Sequence, residues 1–401
     1  MNPILYAIPV FMLTIGLEAW VAKRRARPVY DIPDAITSLH HGVLSQVIGL
    51  FVKVLTVGIY VGVHEHARLF DLPADSVFVF VAALIAYDFC YYWAHRLGHE
   101  VNILWAAHVV HHSSEYYNLA TALRQTSSGP LLGWIFYLPL AVCGVPPTVF
   151  VAVAVIDLLY QYWVHTELVP KLGWIDRVFC TPSNHRVHHG QNDYCIDRNY
   201  GGILMIWDHM FGTFVEERDD EPIRFGIRKP LQSFNPVWGN LHYYADLWRM
   251  SRAAPTWRGK LGVWFAPPGG WHQPLPHFDP SAFRHFSAGT PASLRRYVAL
   301  QYAASVPFVM DLIGRFDVLS PGARLVYALG ILATTLALGA LLEGRHLARR
   351  LEVLRALALG LAVPLLPTWF GLWLPLAAQW TFAVVMLGGA AWLVRHIVAS
   401  R

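Results

Sequence analysis

Apolar residues in this chain come in long unbroken runs rather than in an alternating or one-faced pattern. The runs cover residues 4–22, 43–63, 76–93, 130–143, 147–164, 297–313, 325–342, 356–376 and 377–394. A helix needs about 20 mostly apolar residues to cross a hydrocarbon core about 30 Å thick. The pattern therefore predicts an all-α integral membrane protein with about nine transmembrane or re-entrant helices. The run at 130–143 is short, and Gly144-Val145-Pro146-Pro147 parts it from the next. That pair reads either as two spans or as a hairpin that dips into the membrane and returns.

Charge orients these runs. Lys23, Arg24, Arg25 and Arg27 follow the first, whereas the loop after the second carries Glu65, Asp71 and Asp75 with Arg68. Further basic residues lie at Lys171, Arg177, Arg186 and Arg198, at Arg249, Arg252, Arg258 and Lys260, and at Arg345, Arg349, Arg350 and Arg355. Cytoplasmic loops carry the excess of Lys and Arg, so the N-terminus is expected outside and the C-terminus inside. The membrane is the inner membrane of a bacterium or the endoplasmic reticulum of a eukaryote. The first run holds Glu18 and lacks a basic start, so it reads as a retained anchor rather than a cleaved leader. Four segments follow: 1–75 with the N-terminal helices, a histidine-rich core at 76–215, a cytoplasmic interfacial segment at 216–296 rich in Trp and Pro, and C-terminal helices at 297–401.

Composition agrees with a membrane setting. The 401 residues are 55% hydrophobic and only 14% charged, against roughly 25% charged in soluble domains. The net charge of +5 is modest and sits beside apolar runs, which excludes a nucleic-acid reading. Cys90, Cys143, Cys180 and Cys195 form no C-x-x-C pair, so neither a disulfide framework nor a thiolate metal site is expected.

The candidate chemistry lies in three spaced histidine groups. They are His95 with His99, His108 with His111 and His112, and His185 with His188 and His189, written H-x3-H, H-x2-H-H and H-x2-H-H; a further His165 ends an apolar run. Residues three or four apart share a helix face, so each group can present its rings together. Nine imidazoles exceed the four ligands of one zinc and suit two metals with open positions. Neutral imidazole binds iron, zinc, copper and nickel alike; without thiolates, two irons handling O2 fit best. All the groups fall on the cytoplasmic side. Asp88 lies two helical turns before His95 and could hold a ligating imidazole by its second nitrogen. Glu100, Glu115 and Glu167 are similar candidates, whereas His209 stands outside the spacing. His40, His41, His64, His66, His242, His272, His277, His285, His346 and His396 read as ordinary polar residues. A non-catalytic metal carrier would place its ligands inside the spans. A zinc hydrolase would need H-E-x-x-H, of which His99-Glu100 gives half.

The order of these groups resembles the fatty acid hydroxylase/sterol desaturase superfamily of membrane di-iron enzymes. Longer stretches resemble its alkylglycerol monooxygenase branch, densely from about residue 88 to 214. They include Asp88-Phe-Cys-Tyr-Tyr-Trp-Ala-His95-Arg, His111-His112-Ser-Ser-Glu115-Tyr-Tyr-Asn118, Thr121-Ala-Leu-Arg124-Gln125, Gln161-Tyr-Trp-Val-His165-Thr-Glu167, His185-Arg-Val-His188-His189-Gly190 and Trp207-Asp208. The resemblance implies O2-dependent hydroxylation beside an ether oxygen, two iron ions, tetrahydrobiopterin as electron donor and a lipid substrate taken from the membrane. It implies His95, His99, His108, His111, His112, His165, His185, His188 and His189 as iron ligands and Glu100 as an acid needed for activity. Asn184 stands where animal members carry a further His. The related alternatives are hydroxylases or desaturases of fatty acyl, sterol or carotenoid substrates.

Overall fold

Helices form where the apolar runs stand, but polar groups decide where they start and stop. The computed structural model describes residues 4–269 and 277–399, so His272 lies outside the described residues. The long helices are α1 (Ile4–Arg24), α2 (Ile32–Ala67), α3 (Val77–Glu100), α4 (Pro147–Trp163), α5 (Pro182–His189), α6 (Pro236–Ala253), α7 (Ala292–Arg315), α8 (Pro321–Leu342), α9 (His346–Leu365) and α10 (Leu376–Ala399). A nine-residue helix at Trp257–Phe265 and shorter helical turns connect them, and extended pairing among the described residues is limited to isolated bridges. Among the described residues, six helices are long and apolar enough to cross a membrane: α1, the first part of α2, α3, α7, α8 and α10. Their outward positions carry apolar side chains such as Leu13, Val77, Phe78 and Leu376, all largely exposed. Lipid, not water, is the medium that matches such a surface. The protein is an all-α integral membrane protein.

Two boundaries differ from the apolar pattern. The expected run at 43–63 is the middle of a helix that begins at Ile32. Asp31 caps it by accepting from the Asp34 N–H at 3.3 Å, with Pro33 in the first turn. The added turns are polar, with Asp34, Thr37, Ser38, His40 and His41 all buried. They are tolerated because they face protein: the Arg124 guanidinium, itself 2% exposed, donates to Asp34 Oδ1 at 2.7 Å and Ser38 Oγ at 3.0 Å. The run expected at 356–376 instead folds as α9, starting earlier and ending at Leu365. Leu366 precedes Pro367 and is extended, as steric contact with the proline ring requires.

The runs at 130–143 and 147–164 form a hairpin. The first breaks into Gly129–Gly133, a tighter turn at Trp134–Tyr137, and Leu138–Val142. Fourteen residues rise about 21 Å and the seventeen of α4 about 26 Å, both short of a core of about 30 Å. Gly144 turns the chain between them with φ +87°, and a Cβ there would sit 1.9 Å from the Phe70 carbonyl oxygen. Leu140, Ala141, Val149 and Val153 pack with Tyr60 of α2 and Ala83 and Tyr87 of α3. A second core joins Ile36 and Leu39 of α2 to Leu294, Val298, Leu338 and Leu393 from the C-terminal helices. Residues from the expected first and last segments therefore share one core.

Because only glycine fits this turn, Gly144→Ala should lower the melting temperature in detergent, by the equivalent of about 1–3 kcal/mol. Gly58→Ala, at a helical position with nothing within 4 Å of the new Cβ, should leave it unchanged or raise it slightly.

Candidate metal centre

The last turns of α3 carry His95 and His99 on one face. The short turn Val109–His112, with His108 at its start, lies against them. His165 follows the end of α4, and α5 supplies His185, His188 and His189. Helix α5 can start abruptly because Thr181 and Asn184 cap each other's backbone and Pro182 opens its first turn. The structure brings all nine predicted histidines together. Eight are buried and His108 is partly so.

They do not divide as the sequence groups do. His95, His99, His108, His112 and His188 form one set, and His111, His165, His185 and His189 a second; within each set the ligand atoms lie within 4.8 Å of one another. The expectation that each H-x2-H-H presents its rings together is corrected here. His108 and His112 are one turn apart and share a face, as do His185 and His189. The residue between each pair, His111 or His188, turns to the other set.

Backbone carbonyls aim the rings. Nδ1 of His95 donates to Tyr200 O (2.9 Å), that of His111 to Arg124 O (3.0 Å), that of His165 to Gln161 O (2.8 Å) and that of His188 to Arg198 O (2.9 Å). A carbonyl only accepts, so Nδ1 carries the proton and Nε2 keeps a bare lone pair. Nε2 of His111 and of His165 nevertheless lie 3.3 Å apart. Nε2 of His95, His99 and His188 are buried without a partner. Two bare acceptors at that distance repel unless a cation lies between them. Nitrogens bound at about 2.0–2.1 Å to one ion stand roughly 3–3.5 Å apart, which fits this spacing. Burial also pushes the imidazoles of His112, His185, His188 and His189 well below the usual histidine range, and that of His111 to about 4. They stay neutral, the form that binds metal. The donor set fits two metal ions held by nitrogen alone.

Polar residues hidden in the sequence hold those carbonyls. Asp208 accepts from the N–H groups of Tyr200 and Gly201, both at 2.8 Å, and from Thr213 Oγ1 at 2.6 Å. It thereby fixes the peptide that orients His95. Arg124 fixes the one that orients His111.

The acids expected near the centre have hydrogen-bond and ion-pair partners other than its nine imidazoles. Asp88 does not meet an imidazole: its oxygens accept from Ile203 N (2.7 Å), Leu204 N (3.1 Å) and Trp207 Nε1 (2.8 Å). A buried carboxylate between a helix and unpaired loop N–H groups is satisfied best by those donors. Glu100 pairs with Arg96 at 2.9 Å, and Glu115 accepts from Phe286 N at 2.5 Å. Glu167, raised by burial to about 7, offers its backbone carbonyl to Arg27 at 3.1 Å. Asn184 caps α5, its Oδ1 accepting from Thr181 N at 3.0 Å and its Nδ2 donating to Asp176 O at 2.9 Å. His209 contacts the Arg177 carbonyl at 3.0 Å, away from the rings.

A cavity of about 310 Å³ reaches His108, His111 and His165. Its walls are mainly apolar, from α1, α2, α4 and α7, with Tyr91, Gln125, Asp157 and Gln161 giving a polar patch.

Comparison with known proteins agrees with this arrangement. A family model described as fatty acid hydroxylase matches residues 80–213. Alkylglycerol monooxygenase of Homo sapiens is 38% identical over 88% of this chain and 80% of its own length. The same enzyme of Danio rerio is 38% identical over 90% of this chain and 83% of its own. Ornithine lipid hydroxylase of Rhizobium tropici is 31% identical, over 37% of this chain and 45% of its own. No solved structure matches the chain. The histidine order, the helical scaffold and likeness across most of the length agree: this chain belongs to the alkylglycerol monooxygenase branch of the fatty acid hydroxylases and is an oxidoreductase.

Proposed function

We propose that this protein is a di-iron monooxygenase that uses O2 to cleave the ether bond of alkylglycerols at the cytoplasmic face of a membrane. The observation that carries this reading is the pair of all-imidazole sets at the end of an apolar cavity. The names of the full-length relatives supply the substrate class. The basic residues after α1 and around α5 support the cytoplasmic side, at the inner membrane of a bacterium or the endoplasmic reticulum of a eukaryote.

His95, His99, His108, His112 and His188 would hold one iron, and His111, His165, His185 and His189 the other. Bound there, the two irons would supply the activation of O2 that hydroxylates the carbon beside the ether oxygen. The hemiacetal product collapses to a fatty aldehyde and a glycerol derivative. Tetrahydrobiopterin is the proposed electron donor. The protein's own part is to position and to exclude water. The apolar walls take the alkyl chain out of lipid without desolvating a polar group. Gln125 and Gln161 line the same cavity as His111 and His165, where the ether and hydroxyl oxygens need partners. Deep burial of the rings keeps bulk water from the reacting carbon.

Purified protein given an alkylglycerol, O2 and tetrahydrobiopterin should release fatty aldehyde. An intact ether bearing a new hydroxyl or double bond would replace this reading with that of an acyl-chain hydroxylase or desaturase. His188→Ala and His111→Ala, one from each set, should each abolish turnover and lower the iron bound per chain, whereas His209→Ala should change neither. Asp208→Asn, which keeps the size but loses an acceptor for Gly201 N, should weaken metal binding about 10–100-fold, as read by chelator competition.

A further inference from the structure

We propose that a second cavity, walled by α7, α8, α9 and α10, is a binding site for the far end of the substrate's alkyl chain. It measures about 220 Å³ and lies among helices outside the fatty acid hydroxylase match. The assignment rests on the alkyl-lipid reading above and adds the place where long chains end.

Continuity is the first argument. Val43 of α2 and Tyr302 and Val309 of α7 line both this cavity and the one that reaches His111. The two spaces are therefore divided by a partition of single side chains. A chain whose head lies at the histidines points along the first cavity toward it. Tyr302 is set edge-on against the His40 ring, with centroids 5.5 Å apart, which holds the partition in place.

Chemistry identifies the occupant. Most polar groups in the wall are already spent, the exception being the Trp369 Nε1–H, which is buried without an acceptor. Thr334 donates to Gly330 O at 2.9 Å, Thr335 to Leu332 O at 2.9 Å and Ser305 to Tyr302 O at 2.7 Å. Tyr327 donates to Asp311 at 3.1 Å. The one charged wall residue, Arg355, is bound to Glu352 at 2.6 Å and Gln301 at 2.8 Å. A polar ligand would lose its water here and gain at most the Trp369 Nε1–H in return. A hydrocarbon tail loses nothing and restores contacts that an empty space forfeits. Gly330 lines the cavity, and nothing lies within 4 Å of where its Cβ would be, so the wall has been left low at that point.

The test reads binding, so it does not depend on cleavage. Iron-loaded protein in phosphatidylcholine nanodiscs is photolabelled with decylglycerol or hexadecylglycerol ethers carrying a diazirine at the chain end. The long probe should label residues of 326–335 or 382–386, in competition with unlabelled hexadecylglycerol but not with added phosphatidylcholine. The short probe should label 306–313. Gly330→Phe should remove the long-probe label and spare the short one. Where cleavage is observed, it should lower kcat/KM for the hexadecyl substrate about tenfold or more relative to the decyl one. Iron content and melting temperature should stay at wild-type values.

Identical labelling by both probes near 306–313 would overturn the proposal, as would label at 326–335 that only phosphatidylcholine displaces, since the occupant is then bulk lipid. Chain-end labelling without any aldehyde production would leave this site standing and remove the ether-cleaving function instead.

Discussion

The structure depends on lone pairs that face one another. An imidazole whose Nδ1–H is committed to a backbone carbonyl has one acceptor left, on Nε2, and His111 and His165 bring two such acceptors to 3.3 Å. Four of the nine rings have their Nδ1–H committed in this way, and bare acceptors brought face to face in a buried space repel one another without a cation. The fold must therefore hold them against that repulsion with groups of its own. It does so with backbone at Arg124, Gln161, Arg198 and Tyr200, and with Arg124 and Asp208 fixing two of those segments in turn.

This explains why the centre sits where helices end. A carbonyl inside a helix is already committed to the N–H four residues on, whereas those of loops and last turns are free to accept. The segment around residues 198–204 is such a loop. Its unpaired N–H groups need acceptors in a protein surrounded by lipid, and Asp88 of α3 supplies two of them. A carboxylate within an apolar helix is costly. Here it ties the loop that orients His95 and His188 to the helix that carries His95. Metal geometry, loop backbone and membrane helix are thus one connected network.

Much of this was legible in the sequence. The long apolar runs gave helices, and the repeated spacing picked out eight of the nine clustered histidines from twenty, with His165 marked by ending an apolar run. What could not be read was which rings go together, because H-x2-H-H places its middle residue on a different face only once the turn's direction is known. The supports for His95, His111, His165 and His188 were hidden because a carbonyl acceptor leaves no mark on residue type. Asp88 was visible as an acid in a span, but its partners lie more than a hundred residues away. The early start of α2 was missed because Asp34, Ser38 and His41 look solvent-facing until Arg124 and the surrounding helices bury them.

The proposed oxygen chemistry requires that this set of nitrogens hold a pair of irons. The direct measurement is metal analysis with Mössbauer spectroscopy on protein from cells grown with iron-57. About two irons per chain with the spectrum of a coupled pair are expected. Stoichiometric zinc that persists when cells are grown iron-rich and zinc-poor would contradict that requirement, and the oxygen chemistry would fall with it.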